Sequence, residues 1–202
     1  MPARGPEAPS PATDERVRVW DVAVRLCHWS LAALVLLNLV RDDGDRWHRL
    51  AGYVAVGVVV ARCLWAALHR GPGGWRALKP SLRDTLAYLR GGAPRTLEHD
   101  PLGLWMVWLL WWLVLLLGLT GWMSQLDAFW GDELVQDLHG WLANALMVSV
   151  AVHLAGVITM SWRWRENLPA AMLTGRKRPR EPDPSRSPPT GAHRDRPGRG
   201  RT

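Results

Sequence analysis

The sequence predicts an all-α integral membrane protein built as a four-helix bundle. Two long segments, residues 101–126 and 138–162, contain no charged residue, and about 20 consecutive apolar residues are enough for a helix to cross a bilayer. Two shorter apolar segments precede them, residues 26–40 and residues 50–68, and Arg62 is the only charged residue in either. The basic residues collect in alternate connections between these segments, which is typical of multi-spanning proteins.

The apolar segments predict four spanning helices, at about residues 20–40, 48–69, 101–123 and 137–162. The first helix reaches spanning length only if Val19–Arg25 belongs to it, which would place Asp21 and Arg25 in the headgroup zone. The ends of the chain are rich in Pro, Arg, Asp, Glu and Ser instead, a composition that does not form a packed core. We therefore divide the chain into a disordered N-terminal segment, a transmembrane domain and a basic disordered tail, at residues 1–16, 17–178 and 179–202.

The positions of Lys and Arg predict that both termini are cytoplasmic, in a bacterial inner membrane. Basic residues precede the first helix, fill the connection between the second and third helices, and dominate the tail, whereas residues 124–138 contain none. The short stretch after the first helix, residues 41–49, is mixed, with three Arg and three Asp. Cytoplasmic connections carry the excess of basic residues. A disordered basic tail beside anionic lipid accounts for the net charge of +7, so the lipid membrane is an expected partner and a nucleic acid is not.

Four of the seven histidines lie inside the apolar segments. His69, His99 and His193 fall at helix ends or in the tail, and we expect them at the membrane interface. An ionisable group inside a membrane is costly and indicates function by default. A single such histidine would be interpreted as a neutral imidazole bonded to a neighbouring helix. Four at matching depths favour a functional role: His28, His48, His139 and His153.

Helix topology sorts these four histidines into two pairs. The first helix starts at the inner side, so His28 lies there, whereas His48 and His139 start the second and fourth helices at the outer side. His153 follows His139 by fourteen residues, which is about 21 Å along a helix and leaves both within about 40° of one direction. We expect an inner pair, His28 with His153 (the His28 pair), and an outer pair, His48 with His139 (the His48 pair).

Two pairs of imidazoles from facing helices suit two haems with two axial histidines each. Helix bundles build cofactor sites in this way, and histidine is a standard axial ligand. The two cysteines form no C-x-x-C-H motif, so no covalent c-type haem is indicated. Small residues lie about one turn from the histidines and would leave room for a flat macrocycle: Ala32, Gly52, Ala143, Ser149 and Gly156. Small residues are also ordinary at helix contacts in membranes.

Two arginines are candidates for binding the haem propionates. Arg25 lies three residues before His28, and Arg62 lies fourteen residues after His48, which places it at the inner level. Arginine binds carboxylates with two parallel hydrogen bonds. The alternative for either arginine is that its charge extends to the cytoplasmic interface. For Arg25 both interpretations stay open, whereas Arg62, further from its helix end, favours a propionate or a buried contact.

Five stretches resemble the bacterial cytochrome b561 family, which includes the cytochrome b subunits of nickel-iron hydrogenases: VWDVAVRLCHWSLAALVLL, HRLAGYVAVGVVVARCLW, HDPLGLWMVWLLWWLVLLLGLTG, LHGWLANALMVSVAVHLAGV and RENLPAAMLTGRKR. The likeness covers about residues 17–178, in the right order and spacing. It implies two non-covalent b haems held by His28 in RLCHW, His48 in HRLAGY, His139 in LHGWLAN and His153 in VHLAGV. The start of the third helix, EHDPLG, departs from the family pattern but carries no ligand.

The resemblance implies a respiratory-chain protein that passes electrons between the quinone pool and a redox partner, such as a hydrogenase, a dehydrogenase or a c-type cytochrome. No catalytic acid, base or nucleophile is needed, because the haem iron carries the chemistry. Two alternatives remain open. One is a membrane transporter that binds Zn or Ni through the same histidines, and the other is a haem-free anchor subunit that docks a redox enzyme.

Overall fold

The computed structural model describes residues 17–18, 21–41, 43–69, 73–90 and 101–177. The predicted N-terminal segment and basic tail lie outside these residues, as do His99 and His193. Two two-residue strands, β1 (Val17–Arg18) and β2 (Arg176–Lys177), pair antiparallel. Otherwise the regular structure of the described residues is helical, with a short 3₁₀ turn at Asp127–Phe129 and six α-helices: α1 Val22–Val40, α2 Arg46–Leu68, α3 Leu82–Leu89, α4 Pro101–Met123, α5 Glu133–Trp164 and α6 Leu168–Thr174.

Four of these helices, α1, α2, α4 and α5, are long and apolar enough to cross a membrane. The prediction of an all-helical membrane protein with four spans is therefore confirmed. The bounds of α4 are those predicted, but α2 and α5 begin two and four residues earlier than predicted. In both cases an aspartate starts the helix: Asp45 accepts from the His48 N–H, and Asp132 accepts from the N–H groups of Leu134 and Val135. The apolar pattern does not include these polar first turns.

The helices pack in the order α1, α2, α4, α5. The core lies between α2 and α4, where Ala55, Val59 and Val114 are buried. The close approach of these helices depends on Gly118, since a Cβ built there would lie 2.3 Å from Val56 Cγ2. Small residues permit such contacts between membrane helices.

A much smaller fraction of the residues is buried in the outer helices α1 and α5 than in α2. In the most apolar stretch of α2, 28% of the residues are buried, against 6% in α1 and in α5. Among the described residues, α5 approaches the backbones of α1 and α2 at few points. α5 therefore packs mainly on α4, and the two histidine pairs bridge the wider separation between α5 and the α1–α2 pair.

Loop residues 73–80, α3 and α6 cover the end of the bundle where α1 begins. Trp108 Nε1 donates to the Leu78 carbonyl at 2.8 Å, and Met172 of α6 packs on Val24 of α1. Because β1 leads into α1 and β2 follows α6, both ends of the described transmembrane region lie at this same end of the bundle.

Candidate functional site

The His48 pair joins the beginning of α2 to the beginning of α5. The ring centroids of His48 and His139 are 6.3 Å apart, and the ring planes are inclined by 64°. The structure thus brings together the two histidines that topology predicted for this level.

Backbone and amide groups fix the orientation of His48. Its Nδ1 lies against the backbone carbonyl of Arg41, and a carbonyl only accepts, so Nδ1 carries the proton and Nε2 keeps its lone pair. The Asn38 side chain supports the same turn, with its amide N–H₂ donating to the His48 carbonyl at 3.1 Å and its oxygen accepting from the Gly52 N–H at 3.2 Å. Asn38 of α1 and Arg41 at its C-terminal end therefore position His48 at the start of α2.

His139 is held by α4. Its Nδ1 lies 2.8 Å from the hydroxyl oxygen of Thr120, and a Cβ built on Gly121 would lie 3.4 Å from its Cε1. The His139 ring therefore lies against two consecutive residues of α4. Thr120 makes the polar contact, and Gly121 has no side chain that would crowd the ring.

The His28 pair lies at the other level of the bundle. The ring centroids of His28 and His153 are 6.5 Å apart, with the ring planes inclined by 53°. Trp29 makes an edge contact with His28 at 5.2 Å between centroids. His28 Nδ1 is buried and, among the described residues, has no hydrogen-bond partner. This pair thus differs from the His48 pair, in which both Nδ1 atoms have partners.

Two arginines lie at the same end of the bundle as the His28 pair. Arg62 is only 5% exposed. Its Nη2 donates to the Gly73 carbonyl at 2.8 Å, and its guanidinium lies 5.8 Å from the centre of the Trp111 ring. Arg25 donates through Nη1 to the Leu173 carbonyl of α6. Arg62 Nη1 and Arg25 Nε are buried without a partner among the described residues.

A cavity of about 90 Å³ lies between His28 and Arg62, which both line it together with Cys27 and Trp111. A larger, open cavity of about 410 Å³ lies where α5 meets α6, and its walls combine apolar and polar side chains. They are Ile158, Ser161, Trp162, Arg165, Glu166, Asn167 and Pro169. Glu166, at its edge, is buried.

The sequence profile of prokaryotic cytochrome b561 matches residues 19–175, which is most of the chain. The chain belongs to the prokaryotic cytochrome b561 family. The resemblance found in the sequence motifs is therefore confirmed. A comparison with curated proteins found no match.

Membership of the cytochrome b561 family makes the chain a membrane electron-transfer protein and implies that it binds haem b. The histidine spacing fits this cofactor. A first-row transition metal binds an imidazole nitrogen at about 2.0–2.1 Å, so two rings that bind one ion from opposite sides have centroids about 6.4 Å apart. The distances of 6.5 Å and 6.3 Å in the two pairs match that value.

Other features also fit a b561-type cofactor. A Cβ built on Gly156 would meet no atom within 4 Å, so the space expected beside His153 is present. Arg62 Nη1 and Arg25 Nε, which have no partner among the described residues, are donors suited to carboxylates. In the part of the chain that the structure describes, no three His, Cys, Asp or Glu side chains come together as a metal site.

The sequence prediction missed two residues of this b561-type site, Asn38 and Thr120. Each is a polar residue in an apolar stretch of its helix, and a polar residue inside a membrane span is a signal of function or packing. His69, which was expected at an interface, ends α2 and stacks on Trp65 at 5.4 Å between centroids.

Proposed function

We propose that the chain is a di-haem b-type cytochrome that carries electrons between the quinone pool and a redox partner protein in a respiratory chain. The observation that carries the proposal is the spacing of the two histidine pairs, 6.5 Å and 6.3 Å between ring centroids, in a family that implies haem b. Each pair supplies two imidazoles, which is the number of axial positions of one haem iron. Zinc, in contrast, takes four ligands.

In this proposal the protein holds and tunes the cofactors, and the bound haems supply the one-electron chemistry. His28 and His153 would hold one haem, and His48 and His139 would hold the other. The offset of fourteen positions from His139 to His153 separates the two sites by about 21 Å along α5. Arg62 binds a propionate at the His28 level, supported by its burial and its unpartnered Nη1. Arg25, whose Nη1 already donates to Leu173, binds a propionate through Nε, which is buried without a partner among the described residues.

The open cavity between α5 and α6 is the proposed place for the quinone ring. Ile158 lies five residues beyond His153 on the same helix, about 7.5 Å along the axis. Trp162 and Ile158 offer apolar walls, and Ser161 and Asn167 offer hydrogen-bonding groups. This combination suits a flat ring that carries two carbonyls.

The quinone proposal is tested with Trp162→Ala and Ser161→Ala. Both are expected to slow haem reduction by a short-chain quinol, with no change in the haem spectrum. Trp130→Ala is the matched control, because Trp130 is also exposed but lies in the connection before α5. Reduction rates equal to wild type in both cavity variants would place the quinone elsewhere.

We propose a bacterial inner-membrane location with both termini in the cytoplasm. The described region supports a shared side for the termini, because β1 and β2 pair at one end of the bundle. The basic connection between α2 and α4, against the Lys- and Arg-free residues 124–138, supports the cytoplasm as that side. The proposed domain limits remain residues 1–16, 17–178 and 179–202.

A haem count on the purified protein tests the proposal against its two alternatives. We expect two b haems per chain by pyridine haemochrome analysis, and a reduced-minus-oxidised spectrum with a b-type α band. A colourless protein with stoichiometric Zn or Ni would favour the transporter. A colourless protein without metal that still binds a redox enzyme would favour the anchor subunit.

A further inference from the structure

Thr120 is the polar residue of α4 that lies against the His48 pair. Its side chain is inside the bundle, with the residue only 4% exposed. Its hydroxyl oxygen has three polar neighbours: His139 Nδ1 at 2.8 Å, the Leu116 carbonyl at 3.0 Å and the Leu117 carbonyl at 3.2 Å. The arrangement of protons among these atoms determines which nitrogen of His139 is available as a ligand.

A proton on His139 Nδ1 satisfies all of these contacts. The hydroxyl has one proton, and both carbonyls only accept, so that proton lies toward Leu116 or Leu117. The Thr120 oxygen then accepts from His139, and Nδ1 must be the protonated nitrogen of the ring. In the reverse arrangement, the hydroxyl would donate to Nδ1, and its lone pairs would face two carbonyl oxygens with no proton between them.

We propose that Thr120 is a positioning residue that holds His139 as the Nδ1–H tautomer and so keeps the Nε2 lone pair for the haem iron. The inference rests on the proposed ligand role of His139. His48 is held in the same tautomer by the Arg41 carbonyl, so both imidazoles of this pair donate to an oxygen. A ligand imidazole that donates such a hydrogen bond is more basic and has a fixed ring orientation.

This arrangement distinguishes the two haem sites. More basic ligands stabilise ferric iron, so Thr120 lowers the midpoint potential of the haem at the His48 pair. At the His28 pair, His28 Nδ1 has no partner among the described residues, and Arg62 shares its cavity. Both features favour ferrous iron there. The haem at the His28 pair therefore has the higher potential of the two.

The test compares substitutions of Thr120 in the full-length protein. Thr120→Val keeps the shape of the side chain and removes the acceptor, and Thr120→Ala removes it with less bulk. Thr120→Ser keeps the hydroxyl. Thr159→Val is the matched control, since Thr159 is an exposed threonine of α5. The measurements are resolved redox titration and low-temperature EPR of the two haems.

We expect Thr120→Val and Thr120→Ala to raise the lower midpoint potential and to shift the EPR signal of that haem alone. Thr120→Ser and Thr159→Val should retain wild-type values. Loss of that one haem in the Val and Ala variants, with its retention in the Ser variant, would be the same effect in a stronger form. A residue that only packs would not be rescued by serine in this way.

His139→Ala separates failure of this inference from failure of the proposed function. If His139→Ala abolishes or converts one haem while Thr120→Val and Thr120→Ala keep wild-type potentials and EPR signals, Thr120 is not a positioning residue. If His139→Ala itself leaves both haems unchanged, the ligand assignment is wrong and this inference falls with it.

Discussion

Replacing Arg62 by leucine should lower the midpoint potential of the haem at the His28 pair. Arg62 is a buried cation whose guanidinium lines the same cavity as His28. A nearby positive charge favours ferrous over ferric iron, because the ferric site carries one more positive charge. Removing the charge therefore stabilises the ferric form. Arg62→Lys keeps the charge and should change the potential much less.

The size of the effect follows from distance. Arg62 lies fourteen residues from His48 on α2, about 21 Å along the helix. At an effective dielectric constant of about 20, a unit charge contributes about 2 kcal/mol at an assumed separation of about 8 Å and about 0.8 kcal/mol at about 21 Å. With about 59 mV for each tenfold change in a one-electron equilibrium, these energies correspond to about 90 mV and about 35 mV.

The assay is a redox titration in which the two haems are resolved by spectrum and by EPR. Arg49→Leu is the matched control, because Arg49 lies on the same helix at the opposite end and donates to the Gly44 carbonyl at 2.7 Å. It should shift the potential at the His28 pair by no more than about 35 mV, the value for a charge about 21 Å away. Equal shifts of both haems in Arg62→Leu, or no shift of either, would show that Arg62 carries no specific charge effect at the His28 level.

Further outcomes follow from the same structure. A reporter that is active only in the periplasm should be inactive when fused at Thr202 and active after Gln125, and the opposite result would invert the proposed orientation. Gly118→Ala should destabilise the bundle by about 1–3 kcal/mol through overpacking, since its Cβ would lie 2.3 Å from Val56 Cγ2. Thermal unfolding in detergent measures this loss, and Val56→Ala in the same chain should restore part of it. A Gly118→Ala protein as stable as wild type would mean that α2 and α4 do not pack this closely.

The features that the sequence predicted well depend on spacing along one chain segment. Span length follows from consecutive apolar residues, so the bounds of α4 matched the prediction. The pairing of the histidines followed from alternating helix direction and from the fourteen-residue interval between His139 and His153. Neither property requires knowledge of how side chains meet.

The features that were not predicted depend on contacts between helices. Ser149 and Thr120 look alike in sequence, and a hydroxyl in a helix usually bonds a carbonyl of its own preceding turn. Ser149 does this with Ala145 at 2.7 Å, whereas Thr120 also meets His139 because α4 and α5 pack at that register. The two interpretations of Arg25 also remained open for this reason, since its contact with Leu173 depends on the position of α6. The short helices α3 and α6 were missed because neither contains a long apolar run.

The pairing of the histidine ligands is tested most directly by EPR and resolved redox titration of four single variants. They are His28→Ala, His153→Ala, His48→Ala and His139→Ala. We predict that the first two abolish or convert the signal of one haem and that the last two affect the other, because each pair meets across the bundle at 6.5 Å or 6.3 Å between ring centroids. A remaining histidine can retain a weakened high-spin haem, so the identity of the altered signal is the readout, not the haem count. If His28→Ala and His48→Ala alter the same haem, or if no variant changes either signal, the account is contradicted.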